Sequence, residues 1–172
     1  MFRALALLVV SMLVLPLVGC GSSPGTYDLV VQLEDSLKTS SGFAPVEVDV
    51  IGVQSPKTVT AVPVDSHFGE AEAVRQSKKF KTMTLGGNAS NSMSIKVDDK
   101  VWSDSWGNPR FLVVMARTPF QDKDEARRLV FSLNKQRWST LSGKPITVRI
   151  FKDRIIADPE PGAVKEEGPE GF

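Results

Sequence analysis

The 172-residue sequence has one cysteine, Cys20, and one histidine, His67. A single cysteine excludes an internal disulfide, so packing alone must hold the folded part. It also leaves a lone thiol, which in a secreted chain calls for an explanation. With one histidine, a zinc site would draw nearly all its ligands from carboxylates, an uncommon set. Asp98-Asp99 and the group Asp122, Asp124, Glu125 lack the glycine and late glutamate of an EF-hand loop and read as solvated loop charge. No Gly-x-Ser-x-Gly elbow marks a nucleophile. Gly86-Gly87 is not followed by the Gly-Lys-Ser/Thr of a phosphate-cradling loop. His67, just before Phe68-Gly69, reads as a surface or packing residue rather than as the base of a Ser-His-Asp set. Charge is balanced, 21 Lys+Arg against 20 Asp+Glu, with no basic stripe, so nucleic acid is not an expected partner. The expectation is a protein with no metal, no cofactor and no enzymatic activity.

A membrane-spanning run is also missing, since that needs about 20 apolar residues. The longest apolar stretch, Ala4 to Val18, is interrupted by Ser11 and Pro16, preceded by Arg3 and closed by Leu17-Val18-Gly19-Cys20. Charge, apolar run, small residue is the order of a secretory signal peptide, here residues 1–19. Leu-Val-Gly-Cys also resembles the lipobox of bacterial lipoproteins. The resemblance implies diacylation of the Cys20 thiol, cleavage before it and acylation of the new amino terminus, which accounts for the lone cysteine. By the same resemblance, Gly21 in place of Asp implies export to the outer membrane. Residues 20–26 then read as the lipidated cysteine and a short flexible tether of small residues.

From Tyr27 the pattern changes to short β-like runs between turn residues. Val46-Glu47-Val48-Asp49-Val50 alternates with the period of a half-buried strand, and Pro45 at its start costs no ladder hydrogen bond. Tyr27–Leu33, Phe80–Leu85, Ser92–Val97, Arg127–Leu133 and Pro145–Phe151 read as further strands, and Thr58–Val62 as a weaker one. Phe80–Leu85 and Ser92–Val97 flank a glycine-bearing loop and suggest a β-hairpin. Phe111–Ala116 is almost wholly apolar, the pattern of a central strand covered on both faces. Ser66–Lys78 reads as one short helical excursion, and Phe120–Ala126 as a charged connection with a helical turn. Residues 27–157 therefore form one mainly-β domain, an antiparallel β-sandwich with an open barrel as the alternative. The Glu/Gly/Pro-rich residues 158–172 read as a disordered tail.

Trp102 and Trp106 lie on a polar connection. They are candidates for an interaction patch or, alternatively, for indoles that plug an end of the sandwich with N–H groups near loop carbonyls; Trp138 poses the same choice. The order of elements from Pro45 to Ile156 resembles the type VI secretion outer-membrane lipoproteins, the TssJ-like family. Pro45–Val50 resembles its first long strand, the Phe68 region its excursion, and Phe111–Arg117 its apolar strand. The closing Ile146–Ile150 strand matches as well, while Ile51-Gly52-Val53 and Arg127-Arg128-Leu129 depart from the pattern. The resemblance implies a transthyretin-like β-sandwich on the periplasmic face of the outer membrane. It also implies a non-enzymatic scaffold that recruits a periplasmic protein partner. The competing expectation is an envelope lipoprotein that binds a ligand or glycan through Trp102 and Trp106.

Overall fold

The computed structural model describes residues 24–69, 75, 80–120 and 123–160. Cys20 with the leader, most of 70–79, Asp122 and residues 161–172 lie outside this description. In chain order the elements are β1 (Leu29–Leu33), β2 (Lys38–Thr39), β3 (Gly42–Phe43), β4 (Val46–Val53), α1 (Lys57–Thr60), α2 (Val64–His67), β5 (Phe80–Leu85) and β6 (Ser92–Ile95). A π-helical turn at Val101–Ser105 follows, then β7 (Phe111–Arg117), α3 (Asp124–Arg127), β8 (Arg128–Ser132), β9 (Ile146–Ile150) and β10 (Ile155–Asp158).

Two four-stranded sheets form a sandwich, ordered β10-β9-β1-β6 and β5-β4-β7-β8. All pairs in the second sheet are antiparallel, and the first contains one parallel pair, β1 with β9. Strand alternation supplies the core between them. Leu29, Val31 and Leu33 of β1 and Ile146, Val148 and Ile150 of β9 belong to one cluster with Val46, Val48 and Val50 of β4 and Leu112, Val114 and Ala116 of β7.

A second, smaller core lies on the outer face of the β4–β7 sheet, where Ile51, Val113 and Met115 pack with Val59, Val64 and Phe68. Residues 57–68 thus roof this face, which is why β7 is buried on both sides, as its unbroken apolar run foretold. Within that roof the expected strand at Thr58–Val62 is instead the helix α1. Proline at a helix start is tolerated because its missing N–H would be unpaired there anyway, and Pro56 precedes α1 in helical conformation. The Thr60 hydroxyl closes the turn by donating to the Pro56 carbonyl at 3.1 Å. β-branched residues here serve a helix that buries Val59.

The expected hairpin is also corrected. β5 pairs with β4 in one sheet and β6 pairs with β1 in the other, so the Gly86–Asn91 loop crosses between sheets. Gly86 permits the crossing with φ of +77° and passes so close to the Ala44 carbonyl that no side chain fits. At the other end of the chain, β10 runs through Asp158, whose carboxylate pairs with Arg149 at 2.9 Å, so the ordered sheet includes the first residue assigned to the tail.

Candidate functional site

The outer face of the β5-β4-β7 sheet is ordered in rows fixed by strand register. Phe80, Ile51 and Val113 form an apolar row; Thr82, Asp49 and Met115 form the next; Thr84, Glu47 and Arg117 form the last. The excursion covers the first two rows and leaves the third open to solvent. Sequence alternation places Asp49 on the polar side of β4, and the roof turns that position into an interior one, fully buried.

Burial of a carboxylate requires partners. Asp49 has three: His67 Nε2 at 2.8 Å on one oxygen, Arg75 Nε at 2.9 Å on the same oxygen, and the Thr82 hydroxyl donating to the other at 2.6 Å. Arg75 also pairs with Glu47 and lies over the rings of Phe68 and Phe80 at 5.0 and 5.6 Å. Burial works against the Arg75 charge, but the hydrogen bond to Glu47 and the fields of Asp49 and Glu47 outweigh it and raise its pKa. His67 stands edge-on to Phe68 and is fully buried; its Nδ1 has no hydrogen-bond partner among the described residues. A hydrolytic role would need a nucleophile on that nitrogen and a path for substrate. The cluster instead ties the excursion to the sheet.

The open third row floors a cleft of about 480 Å³ at the end of the sandwich where β4 begins and β7 ends. Pro45, Thr118 and Pro119 form its rim, and Asp65 and Arg127 its wall. Arg127 is nearly buried and grips Asp65 at 2.6 Å and Asp124 at 3.2 Å. The hydrogen bond from Arg127 holds the Asp65 carboxyl below its ordinary value, against a smaller opposing effect of desolvation. The same bond raises Arg127. Asp124 in turn accepts from the Val64 N–H at 3.1 Å, which anchors the start of α2 to α3. Arg117 forms no ion pair within 4 Å among the described residues, and the buried Thr118 hydroxyl has no hydrogen-bond partner. No group of three or more His, Cys, Asp or Glu among the described residues is placed to hold a metal ion.

Trp102 and Trp106 sit at the opposite end of the sandwich. Their rings meet edge to face at 5.1 Å and are 2% and 4% exposed, so neither offers an aromatic face to a ligand. The Trp102 indole N–H donates to the Lys96 carbonyl at 2.8 Å, and Trp106 packs directly over Gly52. Trp138 is buried likewise and donates to the Ser132 carbonyl at 2.7 Å. These are plugs of the core. Cys20, the expected lipidation site, lies outside the described residues. The Asp49–His67–Arg75 cluster and the cleft were not anticipated from sequence; the available signal was a carboxylate inside the most regular strand.

No protein-family model and no curated protein matches the chain. Among solved structures, a chain described as "Type VI membrane complex" matches at a TM-score of 0.53 and 11% identity, covering 78% of this chain and 98% of that one. A chain from a structure described as "T6SS protein TssM C-terminal domain (869-1107) from EAEC" matches at 0.51 and 12%, covering 77% and 99%. At these identities the likeness establishes a shared fold.

Proposed function

We propose that this chain is a non-enzymatic lipoprotein of the cell envelope. It is acylated at Cys20, held through residues 20–26 on the periplasmic face of the outer membrane, and carries a 27–157 domain that recruits a periplasmic protein partner. The assembly it would serve is a type VI secretion-like membrane complex. The observation that carries the reading is the extent of the fold likeness: 98% of the type VI membrane complex chain aligns with 78% of this one, so what is shared is an entire domain. The sequence supports it from the other side, with a lipobox-like Leu17-Val18-Gly19-Cys20 immediately ahead of that domain. Among the described residues no helix is long and apolar enough to cross a membrane, so attachment in this reading falls to the lipid. Stable attachment takes more than one acyl chain, at about 0.8 kcal/mol per buried methylene.

Two measurements test it. Cells fed a labelled fatty acid should label the wild-type chain, while Cys20→Ser should lose both the label and its place in the membrane fraction. An affinity-tagged chain, purified from solubilised membranes, should bring with it an inner-membrane component of the secretion complex. A chain that is never labelled, or that purifies without such a component, overturns the corresponding half of the reading.

A further inference from the structure

We propose that the end of the sandwich around Pro24 and residues 133–145 is a docking face for an anionic lipid surface, an inference that rests on the acylation of Cys20 proposed above. Reach comes first. Three residues, Gly21 to Ser23, separate Cys20 from Pro24, and the four Cα–Cα steps between them span at most about 14 Å. Pro24 itself is fixed to the domain by an antiparallel bridge to Asn134, and the Gly25 N–H donates to the Leu133 carbonyl at 2.9 Å. An acyl group on Cys20 therefore holds this end of the sandwich, and no other, at the bilayer.

The segment that meets the tether is basic. The segment 133–145 carries Lys135, Arg137 and Lys144 and no acid. Arg110 joins them, since its carbonyl accepts the Leu133 N–H at 2.8 Å. Arg110, Lys135 and Lys144 are exposed and Arg137 half-buried. None of the four is in an ion pair among the described residues. The acids of this end, Asp28, Asp98, Asp99, Asp104, Asp158 and, two residues beyond it, Glu160, lie on other segments. Asp28 accepts the Val97 N–H and Asp99 the Val101 N–H, both at 2.9 Å. Asp104 accepts the Ser103 hydroxyl at 2.7 Å, Asp98 stands in sequence between Lys96 and Lys100, and Asp158 pairs with Arg149. Basic groups are thus gathered on the segment that meets the tether, and the acids lie beside it.

An anionic membrane attracts each basic residue near its surface, and the attraction fades within a Debye length of about 8 Å at physiological salt. A long tether would leave the patch outside that range; this one cannot. Docking also fixes direction. The cleft lies at the far end of β4, whose 8 residues at about 3.3 Å each carry it roughly 25 Å farther from the bilayer. The rim at Thr118-Pro119 and the cleft are then presented to the periplasm.

The test uses the full chain reconstituted into nanodiscs doped with a gadolinium-chelate lipid. The discs are made of phosphatidylcholine alone or mixed with phosphatidylglycerol, and amide NMR signals are recorded. In anionic discs the amides of Lys135, Arg137 and Lys144 should broaden while those of Lys38 and Arg117 stay sharp. Each of Arg110→Gln, Lys135→Gln and Lys144→Gln should lower the ratio of docked to undocked chain by about fivefold, and high salt should remove the contrast. Equal broadening at both ends, or the same pattern in both lipids, overturns the docking face. Mass spectrometry of the same sample reads the acyl group separately. An unmodified Cys20 overturns the anchor, whereas an acylated chain without lipid-dependent broadening overturns the docking face alone.

Discussion

His67 Nε2 lies 2.8 Å from Asp49 Oδ2, and both side chains are fully buried, 18 residues apart in sequence. The contact joins the middle of the most regular strand to the end of α2. It is the polar pin through an otherwise apolar interface, with Thr82 and Arg75 occupying the remaining capacity of the carboxylate. Removing one partner of a buried charged pair costs about 3–5 kcal/mol, because the other is left desolvated and unpaired. Asp49→Ala should therefore lose that much in urea unfolding at neutral pH. Asp49→Asn should lose less, since its amide can donate to the Thr82 hydroxyl while its carbonyl still accepts from the Oδ2 side, and only the charge opposite Arg75 is given up. A double change to apolar residues of similar volume, Asp49→Leu with His67→Phe, should recover most of the loss. A loss below about 1 kcal/mol for Asp49→Ala would show that the pin does not hold the roof.

The wall of the cleft makes a prediction in pH. The Asp65 carboxyl is held below its ordinary value of 3.8, chiefly by the hydrogen bond from Arg127. A depressed folded-state value means that the unfolded chain takes up the proton first as pH falls. The contribution of Asp65 is thus fully present above 3.8 and is lost as pH drops through the lower folded value. Its side chain is 74% exposed, so solvent screens the pair and the effect is modest. Thermal melts across the acid range should show wild type and Asp65→Asn converging as pH falls, and added salt should shrink the gap at neutral pH. A gap independent of pH would be evidence against the pairing.

Thr118 offers a stabilising change. Its hydroxyl is buried with no hydrogen-bond partner among the described residues, and a buried donor left unsatisfied costs about 1–3 kcal/mol. Thr118→Val keeps the branched shape and removes the polar atom, so it should raise the midpoint of thermal unfolding. For a chain of this size about 1 kcal/mol corresponds to roughly 2–4 °C. An unchanged or lowered midpoint would mean that the hydroxyl has a partner in solution.

What sequence reasoning reached was the strand framework. Val46–Val53 and Ile146–Ile150 alternate because each has one face toward a core, and Phe111–Arg117 does not because both its faces are covered. What it missed depends on contacts between distant segments. Alternation shows that Phe80–Leu85 and Ser92–Ile95 are strands but not which neighbour each takes, and they join opposite sheets. Thr58–Val62 carries β-branched residues at a place where Pro56 starts a helix and the outer face of β7 supplies a groove for Val59. The polarity of Asp49 reads as solvent exposure in sequence because the roof that buries it lies 18 residues further on.

The plugged end of the sandwich rests on one close approach. Gly52 of β4 pairs with Leu112, and a Cβ on it would collide with Trp106, 2.6 Å from its Cβ and Cδ2 and closer still to its Cγ. Its backbone is ordinary strand, so the constraint is space alone. Gly52→Ala must push Trp106 outward, off its edge-to-face contact with Trp102 at 5.1 Å. Overpacking of this kind costs about 1–3 kcal/mol. The variant should unfold at lower urea, lose near-ultraviolet circular dichroism and emit at longer wavelength as the indole meets water. Removing the ring tests the cause: Trp106→Leu alone should be destabilised by its cavity, and adding Gly52→Ala to it should cost far less than in the wild type. Additive losses would place the strain somewhere other than between these two residues.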